Sequence, residues 1–137
     1  MHTSEIISTH PEAQGVANPA LVACIEACFD CAQACTSCAD ACLAEDDVAS
    51  LRTCIRLDLD CADICVTTGR MISRRTGVEE PALKRILETC SEACRECAEE
   101  CERHAEHHVH CRVCAEVCRR CEQACGSTAG SITPAVH

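Results

Sequence analysis

The apolar positions of this chain recur every three or four residues, and most of them are cysteines. From Cys24 to Cys42 successive cysteines step by 4, 3, 4, 3 and 4 residues, and the 3/4 stepping returns over 90–101 and 111–125. Residues with this spacing share one face of an α-helix, in the positions that Leu ordinarily fills in a helix bundle. No strand-like alternation competes with it, so the pattern predicts helices with cysteine on their inner faces.

Turn and capping signals divide the chain into four such helices. Asn18 and Pro19 are typical of a helix start, whereas Gly77 and Gly126 are typical of helix ends. The first predicted helix covers 20–44, and the second runs from the acidic connection 45–47 to about 75. The third covers about 80–103, with Pro81 in its first turn. The fourth runs from the polar joint 104–108 to about 126. Their length and short connections predict an all-α, antiparallel up-down-up-down four-helix bundle with a cysteine-lined core. The bundle is expected over 18–126, between a flexible N-terminal arm (1–17) and a C-terminal tail (127–137).

Composition changes the meaning of the cysteine pattern. The chain has 18 cysteines among 137 residues, one Phe and neither Trp nor Tyr. This cysteine content is typical of a disulfide scaffold or a metal-binding chain. Leu or Ile would bury more area at the same positions without the risk of oxidation. We therefore expect the sulfur atoms themselves to be the purpose of the pattern.

Charge and the N-terminal sequence exclude several classes of function. The formal net charge of −10 argues against nucleic-acid binding. No uninterrupted apolar run of 18 residues is present, so we expect no membrane span. Residues 1–7 lack the basic and apolar segments of a signal peptide. A cytoplasmic chain keeps its thiols reduced, which favours metal binding over disulfides.

The spacing leaves several metal chemistries open. Eight Cys-x-x-x-Cys pairs occur, and two thiolates at this spacing can hold a two-coordinate soft ion such as Cu(I). The alternatives are a zinc or mixed-metal protein of metallothionein type, an iron–sulfur electron-transfer protein and a scaffold of interhelical disulfides. The candidate ligands are the thiols of Cys24, Cys28, Cys31, Cys35, Cys38, Cys42, Cys54, Cys61, Cys65, Cys90, Cys94, Cys97, Cys101, Cys111, Cys114, Cys118, Cys121 and Cys125.

The cysteine rows of all four helices resemble those of the bacterial four-helix-bundle copper storage proteins, in particular the cytosolic branch. The resemblance extends from Cys24 to Cys125. It implies a store of many Cu(I) ions per subunit, a homotetramer, and a mouth at one bundle end that is lined by histidine. Exchange with copper donor or acceptor proteins would follow from such a role. The second predicted helix departs from the pattern, because it carries only three cysteines, and we expect fewer metal sites along it.

Histidines and one aspartate extend the candidate site. His104 follows Cys101 by three residues and His108 precedes Cys111 by three, so both continue the thiol line as candidate ligands at the mouth. Asp58 lies on the thiol face of the second predicted helix, where it is a candidate auxiliary ligand or proton acceptor. His110 is a further auxiliary candidate, while His107 and Met71 are weaker ones. No catalytic constellation is evident, so we expect no enzyme activity.

Overall fold

The structure, a computed structural model, describes residues 2–131, which fold into helices. Over this range it contains five α-helices and a short 3-10 helix and no β-strand, which confirms the all-α prediction. The elements are α1 (Thr3–Ser8), α2 (Pro19–Leu43), the 3-10 helix (Val48–Leu51), α3 (Arg52–Ser73), α4 (Glu80–His104) and α5 (Val109–Ser131).

The four long helices form an antiparallel bundle. Helix α2 packs against α3, α3 against α4 and α4 against α5, and α5 also packs against α2. The start of α2 meets the end of α5 at Cys24 and Cys125, whereas the end of α2 meets the start of α5 at Cys38 and Cys111. Helices that pair start with end in this way run in opposite directions. The predicted up-down-up-down topology is therefore confirmed.

Helix boundaries follow the local sequence signals closely in the first half of the bundle. The Asn18 side chain caps α2 by accepting hydrogen bonds from the backbone N–H of Ala20 at 2.9 Å and Leu21 at 3.4 Å. Pro19 occupies the first turn, where its missing N–H costs nothing. The second long helix ends at Ser73, slightly earlier than predicted, and Gly77 adopts a φ of +57° in the loop that follows.

The N-terminal segment contains more regular structure than the sequence predicted. Residues 3–8 form α1, and Ile7 is buried against the core of the bundle. His10 then contacts the hydroxyl of Thr76 at 3.0 Å, which connects this segment to the loop between α3 and α4. A six-residue helix is marginal by itself, so its stability comes from this packing, which a local sequence pattern does not reveal.

The last helix is longer than predicted. It continues past Gly126 to Ser131, because Ala129 extends the buried seam by one further turn beyond Cys125. Gly126 is exposed, and its lack of a side chain lets Ser91 of α4 approach, where a Cβ would lie 3.3 Å from the serine hydroxyl. Residues 127–131 of the predicted tail (127–137) are therefore helical, and its remainder lies outside the described residues.

One helix meets the length and hydropathy criteria of a membrane span. An 18-residue window within α2 has a mean hydropathy of 1.3, although Glu26 and Asp30 lie inside it, so the helix meets these criteria without an uninterrupted apolar run. Cysteine and alanine contribute most of that hydropathy. The cysteine face of α2 is buried against the other helices of the bundle, so here the apolar character serves the core of a bundle.

The two ends of the core differ in chemistry. Aliphatic side chains fill the end where α2 and α4 begin, with Ile25, Ile72 and Leu87 all at most 2 % exposed and Ile7 of α1 beside them. The opposite end carries the loop 44–47 and the histidine-rich joint at 105–108. Between these ends the core consists almost entirely of cysteine.

A close approach of α2 and α3 supplies a test of this packing. A Cβ at Gly69 would lie 3.0 Å from Cε2 and Cζ of Phe29, whereas a Cβ at Gly130 would meet nothing within 4 Å. We expect Gly69→Ala to destabilise the copper-free protein by about 1–2 kcal/mol, because Phe29 must move. The control Gly130→Ala should be neutral or stabilising by up to about 1 kcal/mol. Urea denaturation of both variants under reducing conditions measures the difference, and equal midpoints would contradict the packing.

Candidate metal centre

The cysteine side chains form one buried column along the bundle axis. All 18 are free thiols, and none is more than 2 % exposed. Each long helix contributes a row, which confirms that the 3/4 spacing directs these side chains inward. The column has no counterpart elsewhere in residues 2–131, so it is the principal candidate for metal binding.

The thiols touch one another across helices as well as along them. The Sγ atoms of Cys35 and Cys118 lie 3.5 Å apart, and those of Cys65 and Cys94 lie 3.6 Å apart. Within single helices, four of the eight Cys-x-x-x-Cys pairs are in contact at 3.8–4.0 Å, namely 31/35, 61/65, 114/118 and 121/125. The sequence predicted the pairs along each helix, but it could not predict the partners across helices.

These contacts build groups of four thiols whose sulfur atoms all lie within 4.8 Å of one another. One group takes a single cysteine from each long helix, at 31, 65, 94 and 121. Four more are 28/90/121/125, 31/35/61/118, 35/97/114/118 and 38/42/54/111. Cys24 and Cys101 lie outside these five but contact Cys125 and Cys54, each at 3.7 Å. Four of these five groups overlap through shared members and so form a continuous run of sulfur along the axis, whereas the group 38/42/54/111 shares no cysteine with them.

Burial favours the neutral form of thiols at the histidine end of the column. Burial raises the pKa of Cys42 to about 12, and it raises that of Cys111 as well. A buried thiolate without a cation is costly. A cation that enters the column would therefore displace protons as it binds.

Asp58 lies inside the column, as its spacing on the thiol face predicted. It is fully buried, and its Oδ1 accepts hydrogen bonds from the thiols of Cys97 at 3.1 Å, Cys114 at 3.4 Å and Cys101 at 3.5 Å. Burial, followed by the negative charge of nearby sulfur, raises the pKa of Asp58 to about 8. The carboxyl therefore holds a proton more readily than an ordinary aspartic acid does, and it lies within hydrogen-bond distance of three thiols.

The candidate histidines differ in what they face at the mouth. His110 directs Nδ1 toward the thiols, at 3.4 Å from Cys38 Sγ and 3.6 Å from Cys111 Sγ. His108 instead directs one ring nitrogen to Asp47, at 3.0 Å, and the other to Glu45. The hydrogen bond to Asp47 raises the pKa of His108 above its usual value.

The remaining candidates lie farther from the sulfur column. His104 Nε2 is 3.8 Å from the carboxylate of Glu100, which is itself buried beside Arg103. His107 is exposed. Met71 is half-buried near the end of α3, at the aliphatic end of the bundle.

Sequence reasoning missed the acidic partners of the histidines. It assigned Glu45 and Asp47 to a connecting loop, yet both contact His108 across the mouth. The antiparallel topology was the available signal, because it places the loop after α2 and the joint after α4 at the same end. The position of His110 beside the thiols was also underestimated, since the preceding turn sets the helix phase there.

Comparisons with known proteins agree with this architecture. Residues 17–130 match the sequence profile of a family described as copper storage protein. A solved structure of a cytosolic copper storage protein from Streptomyces lividans with five coppers is 52 % identical, with a TM-score of 0.82, over 83 % of this chain and 95 % of that chain. A second structure of that organism's copper storage protein, loaded with 10 copper equivalents, is 46 % identical with a TM-score of 0.87, over 93 % of this chain and 98 % of the other.

A match to a curated relative is shorter. An uncharacterized cysteine-rich protein of Bacillus subtilis, YhjQ, is 41 % identical over 69 residues, which is 50 % of this chain and 60 % of that protein. The family profile, by contrast, covers all four long helices and every cysteine row. The chain therefore belongs to the copper storage protein family.

Proposed function

We propose that this chain stores Cu(I) ions in its sulfur column and thereby buffers copper. The observation that carries the proposal is the overlap of the thiol groups. Four of the five groups named above form a chain in which neighbouring groups share Cys121, Cys31, or Cys35 and Cys118. A sulfur that belongs to two groups must bridge two ions when both groups are occupied. Bridging by soft thiolates at low coordination number suits Cu(I).

The sulfur spacing fits metal–thiolate geometry with little rearrangement. With metal–sulfur bonds of about 2.3 Å, two sulfurs are about 4.6 Å apart in a linear unit and about 4.0 Å apart in a trigonal one. Contacts of 3.5–4.0 Å and groups within 4.8 Å already bracket these values. Ions can therefore enter through small side-chain rotations, with the helices left in place.

Charge balance supports storage of many monovalent ions. Each Cu(I) that binds replaces about one thiol proton, so a column near one ion per thiolate stays close to neutral. The core would otherwise have to hold unpaired buried charge. Capacity on the order of one Cu(I) per cysteine, or slightly more with histidine ligands, follows from this balance.

The same geometry disfavours the other metal chemistries. Zinc prefers tetrahedral sites of four ligands, so a divalent ion that binds four thiolates would leave uncompensated negative charge in the buried column. An iron–sulfur cluster needs room for iron and inorganic sulfide between its cysteines. Thiols in contact at 3.5–4.0 Å leave space for single ions only.

The polar mouth provides the access route in this proposal. Buried aliphatic side chains close one end of the column, whereas His104, His108 and His110 lie at the other end, near the first thiols. We propose His104 and His108 as transient ligands there and His110 and Asp58 as auxiliary ones, with the cysteines as the store. The chain would act in the cytoplasm as a homotetramer without catalysis, and would exchange copper with donor and acceptor proteins.

Anaerobic titration tests the capacity. We expect the reduced protein to bind about 18 Cu(I) per chain, on the order of one per cysteine, in competition with a Cu(I) chelator. Metal analysis after gel filtration gives the number of bound ions. Saturation at four or five Zn(II) with weak uptake of Cu(I) would contradict copper storage.

Copper-free protein should already be folded. The Asn18 side chain caps α2 and aliphatic residues fill one end of the core, so we expect a helical circular dichroism spectrum without metal, unlike that of a zinc finger. Thiol titration under denaturant, in the absence of reductant, should count all 18 cysteines. A disordered spectrum, or a substantially smaller thiol count from protein kept anaerobic, would contradict a preformed reduced column.

Loading rate should depend on the mouth. We expect His104→Ala combined with His108→Ala to slow uptake of Cu(I) several-fold while capacity stays largely intact, because the thiols that hold the ions are untouched. His107→Ala is the matched control, since this histidine is exposed at the same joint. Stopped-flow measurement of Cu(I) transfer from a chelator gives the rates. Equal rates in the double variant and the control would remove the mouth from the proposal.

A further inference from the structure

One carboxylate oxygen connects the two stacked histidines at the mouth. Oε2 of Glu45, in the turn after α2, contacts Nε2 of His110 at 3.0 Å and also contacts Nδ1 of His108. The two imidazole rings stack with their centroids 5.4 Å apart. Glu45 therefore contacts both imidazole rings, although only the ring of His110 faces the sulfur column.

The contact with Glu45 determines which nitrogen of His110 carries the proton. An ionised carboxylate can only accept a hydrogen bond, so Nε2 of His110 must donate. In the neutral ring Nδ1 then keeps its lone pair. That nitrogen is the one that lies 3.4 Å from Cys38 Sγ and 3.6 Å from Cys111 Sγ.

The thiols beside this nitrogen belong to the group nearest the mouth. Cys38 and Cys111 lie with Cys42 and Cys54 in a set of sulfurs within 4.8 Å of one another. A metal–nitrogen bond of about 2.0 Å and a metal–sulfur bond of about 2.3 Å place the two ligand atoms up to about 4.3 Å apart. A slight separation of His110 and Cys38 would admit one ion between them.

We propose that Glu45 is a positioning residue, which holds His110 in the Nε2–H tautomer and aims its Nδ1 lone pair at Cys38 and Cys111. The role rests on the proposed function, since it prepares the outermost store site for Cu(I). When Cu(I) binds Nδ1 of His110 and the sulfur of Cys38, the thiol proton leaves to solvent and the copper stays Cu(I). A carboxylate that hydrogen-bonds the non-ligating nitrogen of a ligating imidazole orients that ring and strengthens metal binding at the site.

His108 differs from His110 in its hydrogen-bond partners, and this difference supplies a control for the proposed role of Glu45. Both of its nitrogens face carboxylates, those of Glu45 and Asp47. Both donate in this arrangement, so His108 presents no lone pair while the two carboxylates stay in place, and it can act as a transient ligand only after one of these contacts opens. Asp47 touches His108, and among the described residues it makes no contact with His110. Asp47→Asn is therefore a matched control, which disturbs the same mouth but spares the Glu45–His110 hydrogen bond.

The first experiment uses the full chain without copper. Two-bond ¹⁵N–¹H NMR of reduced protein, at a mildly alkaline pH where an ordinary histidine is neutral, distinguishes a protonated ring nitrogen from an unprotonated one. The His110 signals are identified by their loss in His110→Ala. We expect the Nε2–H tautomer in the wild type and in Asp47→Asn, and a shift toward Nδ1–H in Glu45→Gln, because an amide can donate as well as accept.

The second experiment measures Cu(I) affinity by competition with a chelator. Glu45→Gln should weaken the His110-dependent site about 10–100-fold and leave the total capacity unchanged. In the His110→Ala background the same substitution should have no further effect on that site, as a double-mutant cycle requires. Unfolding midpoints of Glu45→Gln and Asp47→Asn show how much of any change is structural.

The outcomes separate this inference from the storage function. An Nδ1–H tautomer in the wild type, or an unchanged tautomer in Glu45→Gln, would overturn the role of Glu45 even if copper binds fully. An equal loss of affinity in Glu45→Gln with and without His110 would overturn it too. Failure of the chain to bind Cu(I) would contradict copper storage, while the tautomer result on copper-free protein would stand on its own.

Discussion

The structure depends on one constraint: eighteen ionisable sulfurs share a column from which water is excluded. As neutral thiols they pack as small apolar groups, and the bundle can fold around them. As thiolates they require cations in close proximity, because buried charge without a partner is costly. The same residues are therefore the core of the empty protein and the proposed ligands of the loaded one, in which the number of cations would follow the number of ionised sulfurs.

Small side chains allow the column to be continuous. Each long helix places at least one buried alanine directly after a cysteine, at Ala32 and Ala39, Ala62, Ala98 and Ala115. Cysteine and alanine together leave little bulk between neighbouring helices, so sulfurs from different helices reach contact at 3.5–3.9 Å. Larger aliphatic residues appear where the column ends, as at Leu51 and Ile72. The bundle thus gives up large apolar side chains in the middle in exchange for ligand density.

The sequence was sufficient for the helical faces but not for the contacts between them. A 3/4 spacing determines which residues point inward, and it placed Asp58 correctly on the thiol face. Which sulfurs meet across helices depends on the rotation and offset of each helix, which a one-dimensional pattern does not contain. The same limit applied to α1, whose burial of Ile7 is a tertiary contact, and to His110, whose position depends on the turn before α5.

The two ends of the bundle differ in chemistry, and this difference distinguishes the proposed capacity for ions from the proposed route by which they enter. In the proposed store, the sulfur column would set how many ions can be held. The mouth would set how an ion first exchanges its carrier for a thiolate, and the carboxylates of the loop 44–47 lie there in contact with the imidazoles of His108 and His110. If ions enter only at the polar mouth, as proposed, the column would fill from one end. Ions that arrive later would then have to pass or displace those already bound, and bridging thiolates would permit this because a sulfur can bind the next ion before it releases the last.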